Sequence, residues 1–185
     1  MIKHDFGCDY QISFRKVTGS DVSELSDFDC GNPSINDFIR NKCLDDKKDV
    51  TYLFYDTENK MIIGFCSICC NGISINATDG TNQFNTNYPA IEIDFFAIDE
   101  RYRSIPFDAE SKRYDTLSSA LFMFMIKYIT TIASEHVGAT HICLYAVPKA
   151  VSFYKRCGFK PFEEYMNRDE APFTRNCHPM FMAIS

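Results

Sequence analysis

Tyr145-Ala-Val-Pro-Lys-Ala150-Val-Ser-Phe153-Tyr154-Lys-Arg-Cys-Gly158-Phe159 is the stretch that decides the architecture. It continues an apolar run, residues 141–147, that reads as a strand. Pro148 then fixes φ near the helical value and has no N–H to waste, so a short helix opens there. Gly158 closes that helix, because glycine enters the left-handed conformation without a Cβ clash. Upstream, Gly138 ends a long helix that Asp115 or Thr116 caps and that reaches about Glu135. That helix is apolar around much of its circumference, which predicts a buried position. Residues 99–115 read as a polar loop, and residues 90–98 as a strongly apolar strand interrupted by Glu92 and Asp94.

The pattern extends to both ends of the chain. Residues 71–89 are rich in Asn, Thr and Gly and are expected to form a loop. Residues 50–55 and 61–70 are β-rich runs around Asp56-Thr-Glu-Asn-Lys60, which predicts a hairpin. Asn32-Pro33 opens a helix with one apolar stripe, Ile35, Phe38, Ile39 and Cys43. Residues 10–17 alternate as a strand, and residues 180–184 supply a last one. The order β, α, β, β, β, α, β, α, β predicts a single α/β domain over residues 1–185 with a mixed sheet.

Composition narrows the function. The 185 residues carry 45% hydrophobic and 24% charged side chains, which excludes a disordered chain or a coiled coil. Nineteen basic against twenty-five acidic residues give a net charge of −6. A protein that grips nucleic acid by its phosphates needs the opposite balance. Nine cysteines, an odd number, follow an N-terminus without an apolar signal stretch. A disulfide framework is therefore not expected, and a reducing, cytoplasmic setting is. The longest apolar run, residues 120–126, stops at Lys127, well short of the roughly 20 residues that span a bilayer, so no membrane partner is expected.

Three segments carry a family resemblance. Ala150-Val-Ser-Phe153-Tyr154-Lys-Arg-Cys-Gly158-Phe159 is similar to the Ala-x-x-Phe-Tyr-x-x-x-Gly-Phe element of the GCN5-related N-acetyltransferases (the GNAT superfamily). Residues 93–103 followed by Leu117-Ser-Ser-Ala-Leu121 resemble the family's cofactor strand, pyrophosphate loop and following helix. Phe28-Asp29-Cys30-Gly31 with Ile35-Asn-Asp-Phe38-Ile39-Arg40 resembles the N-terminal helix of the family's toxin branch, which acetylates aminoacyl-tRNA.

The resemblance implies a GNAT fold, a mixed central sheet with splayed parallel strands flanked by helices, and acetyl-CoA as cosubstrate. Phe96, Ala97 and Ile98 would pair with the pantetheine arm, the backbones of Phe96 and Ile98 foremost. Arg103 and the amides of Leu117, Ser118, Ser119 and Ala120 would meet the pyrophosphate, with Lys112 and Arg113 adding charge. Tyr154 would protonate the departing CoA sulfur. The chain departs from the pattern in two places. The family's Arg/Gln-x-x-Gly-x-Gly/Ala loop has no glycine here between Arg103 and Thr116, and Val147 stands where the family has Asn.

The residues themselves add candidates. Glu92 and Asp94, at i and i+2 of a strand, share one face, and paired carboxylates raise one pKa toward that of a general base. Glu92 is the preferred base. Cys66-Ser-Ile-Cys69-Cys70 contains a C-x-x-C, but within a strand residues three apart face opposite ways and no second pair follows, so packing thiols are expected. His4, His136, His141 and His178 lack metal-ligand spacing. The expected function is transfer of acetyl from acetyl-CoA to a primary amine on a small molecule, peptide or protein, by direct attack in a ternary complex. Two alternatives are acetylation of aminoacyl-tRNA and a degenerate fold that binds a partner without catalysis.

Overall fold

The structure, a computed structural model, describes residues 2–4, 11–80, 82–107, 116–162, 174 and 176–184. The chain divides into two compact units, Met1–Ile68 with Phe95–Ile126, and Cys69–Asp94 with Lys127–Ser185.

The first unit holds β1 (Ile2–His4), β2 (Ile12–Lys16), α1 (Val22–Ser26), α2 (Pro33–Asp37), β3 (Val50–Asp56) and the start of β4 (Met61–Asp79). It also holds the end of β5 (Asn82–Ile98) and most of α3 (Leu117–Ile132). Its strands are hydrogen-bonded in the order β1-β2-β3-β4, every pair antiparallel. The expected hairpin joins β3 and β4. Asp56 builds its turn, accepting from the amides of Glu58 and Asn59. The Asn32 carboxamide caps α2 by accepting from the amides of Ser34 and Ile35, and Pro33 takes the first helical position. One π turn, Phe38–Lys42, carries that helix on. Its stripe Phe38, Ile39 and Cys43 is buried, with Ile35 packed against it. Rings of Phe28, Phe38, Phe65 and Phe95 pack there, Phe38 stacked on Phe95 and Phe28 edge-on to Phe65, while Phe14, Phe54 and Phe124 form a second aromatic group.

The second unit holds the rest of β4 and β5, β6 (His141–Ala146), α4 (Val151–Arg156), β7 (Lys160–Pro161) and β8 (His178–Ala183). The order here is β5-β6-β8-β7. β5 and β6 run parallel, and β8 is antiparallel to both β6 and β7. Ile73, Ala90, Cys143 and Phe162 form its apolar centre, with Tyr88 and Phe181 against them. α4 opens after Pro148 and stops at Gly158, whose φ is +96°, as the sequence predicts.

One expectation fails. Residues 71–89 are not a loop, because β4 runs on to Asp79 and β5 begins at Asn82. The turn uses Gly80 at φ +60°, and Asp-Gly is a strong hairpin dipeptide. Across the hairpin the Ser74 hydroxyl donates to Asn87 at 2.5 Å. The helical run Leu117–Val137 is 21 residues long and apolar enough to cross a membrane by length and composition alone. It buries Leu121, Phe122, Met125, Ile129 and Ala133 completely, as a core helix does.

Candidate functional site

In the first unit the end of β5 presents its backbone in a defined sense. The Asp99 amide donates to the Ile63 carbonyl at 2.9 Å, so residue 99 faces β4. Backbone groups alternate sides along a strand. Residue 97 therefore faces β4 too, and the N–H and C=O of Phe96 and Ile98 point to the opposite edge. The approach to β4 is close: a Cβ on Gly64 would lie 2.6 Å from the Ala97 carbonyl oxygen and 2.5 Å from Ile98 Cδ1. Ala97 and Ile98 are buried, and the half-buried Phe96 ring packs on Phe122 with centroids 5.0 Å apart. The parallel ladder to β6 ends at Ile93↔Leu144, while β5 continues to Ile98 and β6 to Ala146.

The turn after β5 is held by a carboxylate that sequence reasoning missed. Asp99, 1% exposed, accepts two bonds of 2.7 Å from the Arg101 guanidinium, one from the Arg101 amide and one from the Asp29 amide. Burial alone would raise its pKa, but Arg101 and these amides hold the carboxyl below the usual range. The Phe28–Gly31 segment is fastened to this turn. The Glu100 amide donates to the Asp29 carbonyl, Arg103 Nη2 donates to the Cys30 carbonyl at 2.5 Å, and Arg40 donates twice to the Phe28 carbonyl. Asn36 joins in by accepting from the Cys30 amide and donating to the Asp29 carboxylate. The only hint of this in the sequence is the Asp29-Cys30-Gly31 run itself.

α3 begins at a tied stem. Pro106 and Thr116 form a β-bridge, and the Leu117 amide donates to the Ile105 carbonyl at 3.0 Å. Thr116 caps the helix, with its Oγ1 accepting from the Ser119 amide at 3.3 Å. The Ala120 amide donates to the Thr116 carbonyl, and the Ser118 hydroxyl donates to the Arg103 carbonyl at 3.1 Å. Lys112 and Arg113 lie outside the described residues.

In the second unit Glu92 is buried, at 6% exposure, and paired across the parallel ladder with Cys143. Asn71 Nδ2 donates to its Oε2 at 2.5 Å, and the Cys69 thiol lies 3.8 Å from the same oxygen. Burial and the Glu92 charge push the Cys143 thiol up to about 12. A buried carboxylate oriented by one amide is a chemically sound proton acceptor. Asp94 is more exposed. Tyr154 lies on α4, its ring against Phe153 and Phe159. The residue is half-buried, and burial pushes its hydroxyl well above the ordinary phenol value, with the Cys157 and Cys177 thiols adding to the rise. Such a phenol stays protonated at neutral pH, and the same shift makes it a weaker acid than an exposed tyrosine.

Phe96, Ala97, Ile98, Arg103 and Leu117–Ala120 thus belong to the first unit, and Glu92 and Tyr154 to the second. Cys66 and Cys69 are buried thiols. Among the described residues no group of three or more His, Cys, Asp or Glu could hold a metal ion.

No family model matches the sequence, and no curated protein sequence matches it. Solved structures do match. A bacterial toxin crystal structure superposes with a TM-score of 0.69 at 20% identity, over 95% of this chain and 92% of that one. The structure of AtaTR bound with AcCoA gives 0.69 at 18% identity, over 96% and 95%. An aminoglycoside N(6')acetyltransferase from Legionella pneumophila gives 0.52 at 15% identity, over 96% and 94%.

Proposed function

Proceeding from the fold of a GNAT acetyltransferase with toxin-like resemblance, which this chain has over nearly its whole length, we propose that it transfers an acetyl group from acetyl-CoA to a primary amine. The observation that carries the reading is the end of β5, where the backbones of Phe96 and Ile98 are turned away from β4. An extended amide chain such as pantetheine pairs with a strand edge of that kind. The neighbour bound with AcCoA supports the donor.

In the proposed reaction the amine nitrogen attacks the thioester carbonyl in a ternary complex. The C–N bond forms, the C–S bond breaks, and the products are an amide and a free thiol. Glu92, oriented by Asn71, takes the proton that the amine loses. Tyr154, a phenol that is protonated at neutral pH, gives a proton to the departing sulfur. Residues 1–185 act as one acetyltransferase domain in the cytoplasm. The net charge of −6 favours cationic amines on a small molecule, peptide or protein.

The likeness to a bacterial toxin structure, together with the fastened Phe28–Gly31 segment, favours aminoacyl-tRNA as the second reading of the acceptor. The acidic charge balance weighs against it.

Titration calorimetry with acetyl-CoA and with CoA tests the donor. Micromolar binding is expected, and no binding of either would leave only a non-catalytic partner role. With an amine acceptor in hand, Tyr154→Phe should keep acetyl-CoA binding and lower kcat about 100-fold. An unchanged kcat would remove Tyr154 from the mechanism.

A further inference from the structure

We infer that the exposed cations of α4 and β7 form a docking surface for a short acidic segment of a protein partner, a role independent of acetyl transfer. Lys149, Lys155, Arg156 and Lys160 lie in the stretch from His136 to Phe162, which holds no Asp or Glu although the chain has twenty-five acidic residues. All four are exposed, and so is Ser152, while Ala150, Val151, Phe153, Tyr154 and Cys157 are half-buried. Helical spacing explains the division. The 3-10 turn Pro148–Ala150 runs into α4, and residues 149, 152 and 156 follow at intervals of three and four, so they line one side. Lys155 flanks that strip, which at 1.5 Å per residue is about 10 Å long.

Elsewhere the chain matches its own cations. In the first unit Arg15, Lys42, Lys48, Arg101 and Arg103 each lie within 4.0 Å of a carboxylate. Among the described residues no carboxylate pairs with Lys149, Lys155, Arg156 or Lys160. Four like charges gathered without a counter-charge raise the local potential, and an anion seated on them lowers it.

The size of the strip selects the kind of anion. A nucleic acid reaches well past 10 Å and meets the rest of the chain, which is acidic enough to leave a net charge of −6 with these four cations counted. The strip residues Lys149, Ser152, Lys155 and Arg156 also include no aromatic ring on which a base stacks. A segment of a few Asp or Glu covers the strip and stops there. Lys ammonium groups on flexible stems are point charges that can each follow a separate carboxylate. Contacts of this kind act mainly on encounter and are weakened by salt.

The test is fluorescence anisotropy of a labelled octaglutamate peptide with the whole chain at 0.1 M and 1 M salt, where the Debye length is about 10 Å and about 3 Å. Half-saturation at about 1 mM or below is expected at the lower salt, and binding at least tenfold weaker at the higher. Lys155→Glu with Arg156→Glu should weaken the low-salt binding at least tenfold, and Lys149→Gln with Lys160→Gln should weaken it in the same sense. Lys16→Glu with Lys127→Glu changes the net charge as much as the first pair, at exposed lysines outside the strip, and should leave binding within threefold. Scanning calorimetry confirms that each variant is folded. No binding at 0.1 M salt, or equal losses in the two charge-reversed pairs, would overturn the inference. So would tighter binding of an RNA duplex of about 16 base pairs that Lys155→Glu with Arg156→Glu abolishes, which would assign the strip to nucleic-acid backbones. Acetyl-CoA titration is read separately, so none of these results decides the acetyltransferase reading.

Discussion

Replacing Gly64 by alanine probes the strand edge on which the donor reading depends. Gly64 lies in β4 opposite Phe54, and its backbone conformation is one any residue adopts. Alanine would therefore gain a few tenths of a kcal/mol from a less disordered unfolded chain. The new methyl, however, would sit 2.6 Å from the Ala97 carbonyl oxygen and 2.5 Å from Ile98 Cδ1. The side-chain tip can turn away, but the backbone oxygen cannot move without shifting β5. Overpacking of this kind costs about 1–3 kcal/mol, and a net loss of about 2 kcal/mol lowers Tm by about 4–8 °C in a chain of this size. Scanning calorimetry reads the shift. Gly72→Ala is the control, since its Cβ would meet nothing closer than the Tyr88 carbonyl at 3.8 Å. The displaced Ala97–Ile98 backbone should also weaken acetyl-CoA binding in the Gly64→Ala protein alone. Equal Tm values for the two variants would refute the close approach and the strand alignment derived from it.

Three other outcomes are expected. Asp99 has a folded pKa below its unfolded value, so its contribution is complete above about pH 4 and is lost as the pH falls through the folded value. Asp99→Asn should cost about 2 kcal/mol at pH 7 and flatten the acid limb of a urea-midpoint profile; an unchanged limb would exclude it. Asn32→Ala removes the α2 cap and should cost about 1 kcal/mol, while Asn32→Ser restores most of it in the same urea titration. Glu92→Gln keeps an acceptor for the Asn71 amide but removes the base. The rate with an amine acceptor should fall about 100-fold and recover as rising pH deprotonates the amine. A pH-independent loss would assign Glu92 a structural role.

Local signals make much of the fold legible. Asn32-Pro33, the polar run at 56–60 and Pro148 with Gly158 each act through their own backbone, so they mark boundaries without tertiary help. The β4–β5 extension is hidden because Asn and Gly count against a strand by composition, whereas pairing across the hairpin gives Asn87 a partner in Ser74. The Asp79-Gly80 turn is the signal that outweighs composition there. α1 escapes because five residues carry too little periodicity, although Thr18 and Asp21 form a capping box just before it. Among the candidate residues, Glu92 and Tyr154 stand out by their chemical type in an apolar strand and a short helix. Asp99 and the anchoring of Arg103 are not, because their partners lie 70 and 73 residues away.

Those two long separations bear on how the polypeptide is made. The first unit draws on Met1–Ile68 and then on Phe95–Ile126, with the other unit's strands between them. A growing chain cannot bond Asp29 to Asp99, or Cys30 to Arg103, until the later segment has left the ribosome, and closing so wide a loop is slow. Until then Phe28, Phe38 and Phe65 have no Phe95 or Ala97 to complete their cluster. At synthesis speeds of about 5–20 residues per second, the nascent N-terminal half spends seconds with an open aromatic face, so chains truncated before Phe95 should be the ones that chaperones retain.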